Sequence, residues 1–399
     1  MTAAPRANIA FPTRYRLGWG RRSELAGELK VVGLARALVV TDPGVEATSW
    51  FAPTVAAASG AVVGVFSAVS TNPTEAEVLA GLARYRELGA DGVVAIGGGA
   101  AMDAAKAIAL FAHVGAGAPG DLATLAHGGS RARAVTGAAP IVAVPTTAGT
   151  GSELSPGAVI KDGVAGNKRT LLHPALMPQS VIADAETTVG LPPGMTAATG
   201  LDALTHAVEA LCAPGYHPMC DAIALEAIAM IMARLPQAVR VPDDVGARTD
   251  LLHASGMAAV AFQKGLGLTH AMAHPLGAEL GVHHGLANAV LLPIVLEVNG
   301  DAAGPACARL ATRLGLRGDD PVLAVANAIR ALCREVGLPA TVPLAEVVED
   351  PRPETLDALA DRLAALAQAE TLYLATNPRK VAGDEIAAAY RRALGRGSV

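Results

Sequence analysis

Short runs of β-branched and other apolar residues alternate with helix-like segments through about the first 185 residues of the chain. The runs are bounded by Gly, Pro, Asp or Thr and lie at residues 36–40, 61–66, 92–96 and 141–144. A continuous apolar run is typical of a strand buried on both faces, and strand–helix–strand repetition is typical of parallel strands. The pattern predicts an α/β region built on a mostly parallel, Rossmann-like sheet.

Beyond Leu191 the strand-like runs largely disappear, and long Ala/Leu segments carry a helical period of 3.6 residues. These segments lie at 221–235, 250–260, 321–336 and 353–369. A chain of 399 residues has room for two domains of ordinary size. We therefore expect an α/β domain over residues 1–188 and an all-helical domain over residues 189–399.

The composition excludes several classes of protein. With 52% hydrophobic and 17% charged residues the chain is not intrinsically disordered, and a net charge of −5 gives no basic face for nucleic acid or an anionic membrane. The first ten residues lack the apolar core of a signal peptide. The four cysteines show no C-x-x-C spacing, which argues against a disulfide framework and a thiolate zinc site. We expect a cytoplasmic protein without nucleic-acid or membrane partners.

Two glycine- or threonine-rich segments follow predicted strands. Gly97, Gly98 and Gly99 come directly after the strand ending at Ile96, and residues 145–153 (PTTAGTGSE) follow the strand at 141–144. Backbone N–H groups at a helix start bind phosphate, and loops after neighbouring parallel strands line one crevice. The G-x-G-x-x-G fingerprint is not met, so a simple tight turn is the alternative for the glycines. Together the two loops favour a nucleotide site.

Asp42 follows the earliest of the predicted strands. A carboxylate there can bind a ribose hydroxyl and repel a 2′-phosphate, which favours NAD over NADP. The alternative is that Asp42 only caps a turn before Pro43.

Histidines are concentrated in one part of the second half. Four of the ten lie within fifteen residues: His270, His274, His283 and His284. His270 and His274 are four apart, which places both on one face of a helix. Asp202 and His206 have the same spacing upstream. A single buried histidine is more often an ordinary core residue, but two such pairs predict a site of imidazole and carboxylate ligands for Fe(II), Mn(II) or Zn(II).

These segments resemble the iron-containing (group III) alcohol dehydrogenase family, within the dehydroquinate synthase-like superfamily. The resemblance extends over nearly the whole chain. Its most specific parts are residues 200–209 (GLDALTHAVE), 265–277 (GLGLTHAMAHPLG) and 284–289 (HGLANA), with further matches at 72–74, 97–106, 145–153 and 376–379.

The resemblance implies roles for individual residues. Fe2+, with Zn2+ or Mn2+ as alternatives, would be held by four ligands: Asp202, His206, His270 and His284. His274 looks like the catalytic, non-ligand histidine near the substrate and the nicotinamide. The residues implied to contact NAD are Asp42, Asn72, Gly97, Gly98, Gly99, Asp103, Thr146, Thr147, Thr150, Ser152 and Lys168. Gly97 to Gly99 would hold the pyrophosphate, and the threonines would line the adenine and nicotinamide side.

The chain departs from the family pattern at two places. Ala100 stands where the family usually has Ser, which removes one hydroxyl contact to the cofactor, and the segment before Gly265 is one residue shorter than usual. Asp202, which the metal-free maleylacetate reductases lose, is present.

The expected reaction is reversible hydride transfer between C4 of the nicotinamide and a small primary alcohol or aldehyde, in a cleft between the two domains. One alternative substrate is an ω-hydroxy acid such as 4-hydroxybutyrate, with its carboxylate bound by Lys264; a solvated Lys264 without a role is the competing interpretation. A maleylacetate reductase-like or dehydroquinate synthase-like enzyme and an inactive homologue are further alternatives. By resemblance alone, we expect a homodimer or higher homo-oligomer.

Overall fold

The structure is a computed structural model that describes residues 13–163, 168–348 and 352–396. The chain divides into two compact units, the first ending at Leu191 and the second beginning at Pro192. The domain boundary expected between residues 188 and 189 stays a prediction.

A six-stranded, all-parallel sheet lies at the centre of the first unit. The strands of this unit are β1 (Arg14–Gly18), β2 (Ala37–Val40), β3 (Val62–Phe66), β4 (Gly92–Gly97), β5 (Ile141–Pro145), β6 (Gly157–Lys161), β7 (Lys168–Leu172) and β8 (Ser180–Asp184). The sheet order is β1-β8-β5-β4-β2-β3, while β6 and β7 form a separate antiparallel pair. The predicted fold class is confirmed, and the four predicted strands correspond to β2 to β5.

Helices connect these strands in the first unit. They are α1 (Leu25–Val32), α2 (Pro43–Glu46), α3 (Phe51–Ala57), α4 (Glu75–Glu87), α5 (Gly99–Val114) and α6 (Asp121–Leu125). Thr74 and Glu77 form a capping box that begins α4. α5 begins two residues after β4 ends, so its free N–H groups lie at the carboxyl edge of the sheet.

The described part of the second unit contains helices and no strand. The helices are α7 (Pro193–Cys212), α8 (Pro218–Arg240), α9 (Val245–Ala261), α10 (Leu268–Leu280), α11 (His284–Asn299), α12 (Gly304–Leu314), α13 (Pro321–Glu335), α14 (Leu344–Val347), α15 (Pro353–Ala369), α16 (Thr371–Leu374) and α17 (Gly383–Ala393). One core cluster joins α10, α11, α15 and α17, and there the buried Tyr390 hydroxyl donates to the carbonyl of Met272 at 2.7 Å.

α10 continues through Pro275 to Leu280. The sequence left open whether this proline ends or kinks the helix. Since the helix continues, His270 and His274 stand on one helix, one turn apart.

One described helix, α8, is long and apolar enough to cross a membrane, with a mean hydropathy of 1.5. The pair formed by residues 284–302 and 304–314 passes the same test if it is counted as one bent span. A core helix also meets these criteria, and α8 packs along α7 and α9.

Candidate metal centre and cofactor-binding loops

α7 presents three polar side chains on one face. Asp202, His206 and Glu209 follow one another at spacings of four and three residues, and all three are buried in a helix with no other ionisable side chain before Cys212. The start of α11 lies directly against this helix, because a Cβ on Gly285 would lie only 2.1 Å from the carbonyl oxygen of Ala198. This close approach requires glycine and places the neighbouring His284 beside α7.

The four predicted metal ligands lie together. One ligand atom from each of Asp202, His206 and His270 lies within 4.8 Å of the other two. Asp202 Oδ1 is 3.5 Å from His284 Nε2 and 4.0 Å from His270 Nε2. Ligands about 2.0–2.2 Å from one ion are separated from each other by roughly 3–4 Å, so the distances of 3.5 and 4.0 Å from Asp202 fit a shared divalent ion. Their function as ligands stays a prediction.

The imidazole rings pack closely around this point. His206 and His270 stack with ring centroids 4.6 Å apart and planes inclined by 19°. Phe262 covers His206 at 5.1 Å, and His284 lies 5.3 Å from His270. The rings therefore have little freedom to turn away.

The protonation states at the cluster suit a cation. Burial acts to raise the pKa of Asp202, but the neighbouring imidazoles and a hydrogen bond from Asn288 outweigh it, and the pKa lies below its usual value. Desolvation lowers the pKa of His284 well below its usual value. The charge of Asp202 acts to raise this pKa, but the other imidazoles partly offset that effect. An ionised carboxylate and a neutral imidazole are the forms that bind metal.

Two residues of the site were missed from the sequence. Glu209 Oε2 lies 2.6 Å from His270 Nδ1, and Asn288 Nδ2 donates to Asp202 Oδ1 at 2.7 Å. Desolvation acts to raise the pKa of Glu209, yet its hydrogen bonds with His270 and Thr269 lower it below the usual value. Helical spacing was the available signal, since Glu209 is three residues after His206 and Asn288 is four after His284.

His274 lies beside the predicted ligands. Its ring centroid is 5.5 Å from that of His284, and the Tyr373 ring stands perpendicular to it at 4.9 Å. His274 Nδ1 is 3.4 Å from Oε1 of Glu370, whose side chain is 33% exposed. The catalytic function of His274 stays a prediction, and Glu370 is a partner that the sequence did not indicate.

Lys264 is neither solvated nor an unpaired cation. Its side chain is 6% exposed, and its Nζ lies 2.6 Å from Asp221 Oδ1 and donates to the carbonyl of Leu211 at 3.2 Å. Asp221 already neutralises the ammonium charge of Lys264, so this side chain has no free positive charge to bind a substrate carboxylate. The geometry therefore does not support Lys264 as a carboxylate-binding residue, and the alternative of a solvated side chain is wrong because the ammonium is buried.

In the first unit, the glycine loop lies against the threonine loop. A Cβ on Gly98 would lie 3.3 Å from Thr147 Cγ2, and one on Gly99 would lie 2.7 Å from Thr150 Cγ2. The two loops follow β4 and β5, which are neighbours in the sheet. Backbone N–H groups at the start of α5 and threonine hydroxyls are thus gathered at one edge, as a phosphate site requires.

Asp42 lies at the same edge. A Cβ on Gly97 would lie 3.4 Å from Asp42 Oδ2, and Thr146 N donates to the Gly97 carbonyl at 3.0 Å. Asp42 Oδ1 accepts from Val45 N at 2.9 Å and caps α2. Both interpretations of Asp42 are compatible with this geometry, because one oxygen serves the cap while the other faces the glycine loop.

Asp103 and Ser152 belong to a buried hydrogen-bond network. Lys106 Nζ donates to Ser152 Oγ at 2.9 Å and to the Gly157 carbonyl at 2.8 Å, and Ser152 Oγ donates to Asp103 Oδ1 at 2.7 Å. Burial lowers the pKa of Lys106 to about 8. Lys106 thereby anchors the threonine loop. The contacts of Asp103 and Ser152 with NAD stay predictions.

Asn72 and Lys168 lie near the antiparallel pair. Asn72 is exposed, and its carbonyl accepts from Ser70 Oγ at 3.1 Å. Thr74 bridges to Lys161, which pairs with Lys168 across β6 and β7. Their contacts with NAD also stay predictions.

Comparison with known proteins identifies relatives along almost the whole chain. Residues 12–185 match the family described as iron-containing alcohol dehydrogenase, and residues 196–394 match the C-terminal family of Fe-containing alcohol dehydrogenases. The chain is 39% identical over 402 aligned residues to a 4-hydroxybutyrate dehydrogenase of Cupriavidus necator, covering 97% of this chain and 99% of the relative.

Solved structures agree with these matches. A 1,3-propanediol oxidoreductase superposes with a TM-score of 0.87 at 31% identity, covering 97% of this chain and 100% of the other. A sulfoacetaldehyde reductase from Bifidobacterium kashiwanohense, solved in complex with NAD+, superposes with a TM-score of 0.86 at 29% identity, covering 99% and 100%. The chain therefore belongs to the iron-containing alcohol dehydrogenase family.

Proposed function

We propose that this protein is a metal-dependent, NAD-linked dehydrogenase that interconverts a small primary alcohol and its aldehyde. The observation that carries the proposal is the convergence of Asp202, His206 and His270, whose ligand atoms lie within 4.8 Å of one another, with His284 beside them. Such a cluster of carboxylate and imidazole groups in an apolar helical core has a high desolvation cost unless it holds a cation.

The donor set fits a divalent metal. It offers one carboxylate and three imidazoles and no thiolate, which suits Fe(II), Zn(II) or Mn(II); we propose Fe(II) first because of the family. When bound, such an ion acts as a Lewis acid toward the substrate oxygen. The chain's own contribution is to hold the carboxylate ionised and the ring of His284 neutral, so that the donors are ready.

The first unit supplies groups suited to NAD. N–H groups at the start of α5 would bind the pyrophosphate, with Thr147 and Thr150 beside them. Asp42 Oδ2 would accept from a ribose hydroxyl and disfavour a 2′-phosphate. Because one oxygen of Asp42 is already fixed by the cap on α2, the other is held in place for this contact.

His274 and Glu370 suit proton transfer to solvent. Oxidation of an alcohol releases a proton besides the hydride, and His274 would accept it and pass a proton from Nδ1 to Glu370. The distance of 3.4 Å between them and the partial exposure of Glu370 support this path.

A second candidate substrate is an ω-hydroxy acid of the 4-hydroxybutyrate type. It is favoured by the 39% identity to a protein of that name over nearly the full length of both chains. Since Lys264 is paired with Asp221, another group would have to bind the carboxylate. Assembly as a homodimer or higher homo-oligomer in the cytoplasm also belongs to the proposal.

The test is a panel of alcohols and aldehydes assayed with NAD(H) and NADP(H) after reconstitution with Fe(II), Zn(II) or Mn(II). We expect metal-dependent formation of NADH from primary alcohols, and preference for 4-hydroxybutyrate over butanol would select the second candidate. Loss of activity in Asp202→Asn, with full activity in the control His253→Asn at an exposed position, would show that the activity depends on the predicted metal ligands. Equal turnover with and without metal would contradict the proposal.

A further inference from the structure

Glu209 connects two helices of the candidate metal centre. It stands on α7, and its carboxylate reaches the beginning of α10, where Oε1 accepts from Thr269 N at 2.6 Å and Oε2 accepts from Gly267 N at 3.0 Å. Oε2 also lies 2.6 Å from His270 Nδ1. Glu209 is 6% exposed, so these protein donors replace water around its charge.

The contact with His270 selects one form of its imidazole ring. An ionised carboxylate only accepts hydrogen bonds, so the ring nitrogen facing it must carry a proton. In a neutral ring the other nitrogen, Nε2, then has a free lone pair. That nitrogen faces the cluster, 4.0 Å from Asp202 Oδ1.

We propose that Glu209 is a positioning residue that holds His270 in the Nδ1–H tautomer, with Nε2 presented to the metal. The inference rests on the proposed function, because the ion concerned is the one proposed for Asp202, His206, His270 and His284. Carboxylates that accept from the second nitrogen of a ligand histidine fix its ring orientation and raise its basicity. Glu209 contacts His270 in this way, and it also accepts hydrogen bonds from N–H groups at the start of α10. One side chain therefore stabilises the beginning of the helix and orients the predicted ligand that the helix carries.

The effect of Glu209 on His270 can be separated experimentally from its stabilisation of the beginning of α10. Asn377 Oδ1 accepts from Leu268 N at 3.1 Å, at the same helix start. The other described hydrogen bonds of its side chain go to Asn299 and Arg379. Asn377→Ala is therefore a matched control that weakens the beginning of α10 without removing the acceptor of His270.

The first measurement is the tautomer of His270 in metal-free protein, by long-range 1H–15N NMR on histidine-labelled samples, with His270→Gln used for assignment. We expect the Nδ1–H form in the wild type and in Asn377→Ala. Glu209→Gln should convert His270 to a mixture or to the Nε2–H form, since an amide can meet the ring with its NH2 group. An Nε2–H form in the wild type would overturn the proposal. This outcome is read from the wild-type protein, so it does not depend on whether the Glu209→Gln variant folds.

The second measurement is Co(II) affinity by competition with a chelator, together with the d–d spectrum of the bound ion. Glu209→Gln should weaken binding by about 10- to 100-fold and alter the spectrum, while Asn377→Ala stays within about threefold of the wild type. A folded Glu209→Gln protein with unchanged affinity would overturn the proposal. Wild-type protein that binds Co(II) but oxidises no alcohol would contradict the proposed function and leave this inference standing, whereas absence of Co(II) binding would overturn both.

Discussion

The side-chain amide of Asn288 donates a hydrogen bond to Asp202 Oδ1 across 2.7 Å, and the same nitrogen lies 3.2 Å from His284 Nε2. Asn288 is fully buried, so water does not compete for this bond. The amide thus connects two predicted ligands from different helices and contributes to keeping Asp202 ionised.

Asn288→Ala is expected to lower metal affinity by about 10- to 100-fold, because Asp202 loses a hydrogen bond that orients it. Isothermal titration with Zn(II) measures this directly. The matched control is Asn327→Ala on α13, an exposed asparagine, which should leave affinity unchanged. Equal affinities in the two variants would show that Asn288 does not orient the ligand.

Asp42→Ser is expected to relax the cofactor preference. Serine retains a cap for α2 but removes the charge that we propose repels a 2′-phosphate, so kcat/KM with NADP should rise about tenfold or more relative to NAD, equivalent to about 1.4 kcal/mol. The control is Asp244→Ser, which replaces an equivalent cap that accepts from Ala247 N on α9. An unchanged NAD/NADP ratio would assign Asp42 to capping alone.

Gly99→Ala is expected to weaken NAD binding by about tenfold, because the added methyl group meets Thr150 Cγ2 at 2.7 Å and displaces the backbone that we propose binds phosphate. Thr150→Ser removes that methyl partner, so the double variant should recover part of the affinity. Gly27→Ala in α1 is the control, since its Cβ meets nothing within 4 Å. Simple additivity of Gly99→Ala and Thr150→Ser would contradict the packing argument.

Glu153 makes folding stability depend on pH. Its Oε1 is buried and accepts no hydrogen bond from the described residues, and burial raises its pKa from 4.5 to about 7. Because the folded-state pKa is the higher one, protonated Glu153 stabilises the fold at low pH, and this contribution is lost as the pH rises through about 7.

Between about pH 5 and about pH 8, the wild type should therefore lose roughly 2–3 kcal/mol more unfolding free energy than Glu153→Gln. Urea unfolding at both pH values measures the difference. Glu87→Gln, at a side chain 67% exposed on α4, should follow the wild type. Parallel pH profiles for the wild type and Glu153→Gln would exclude a buried, titrating Glu153.

Local sequence pattern predicted four of the six strands of the parallel sheet, β2 to β5, but it missed β8, a buried interior strand between β1 and β5. β2 and β4 are continuous buried runs, which is why apolar periodicity predicted them. β1 is an edge strand with two arginines, Arg14 and Arg16, and its sequence carries no such run. The β6–β7 pair was missed because its short strands mix charged and apolar residues.

For the candidate site, the four-residue spacings of Asp202/His206 and His270/His274 and the family resemblance were enough to indicate the cluster. The supporting contacts depend on tertiary packing. The contact between Glu209 and His270 spans 61 residues, and that between Lys264 and Asp221 spans 43. No local pattern encodes such pairings, so the carboxylate behind His270 and the neutralised charge of Lys264 emerge only from the fold.

The proposed metal dependence can be tested by metal titration of metal-free enzyme, with NADH formation from a primary alcohol followed at each step. We predict no turnover without metal, activity that rises linearly and levels off at one equivalent per chain, and no such rise in His270→Ala. Full turnover of the metal-free enzyme, or a titration curve of His270→Ala that matches the wild type, would contradict it.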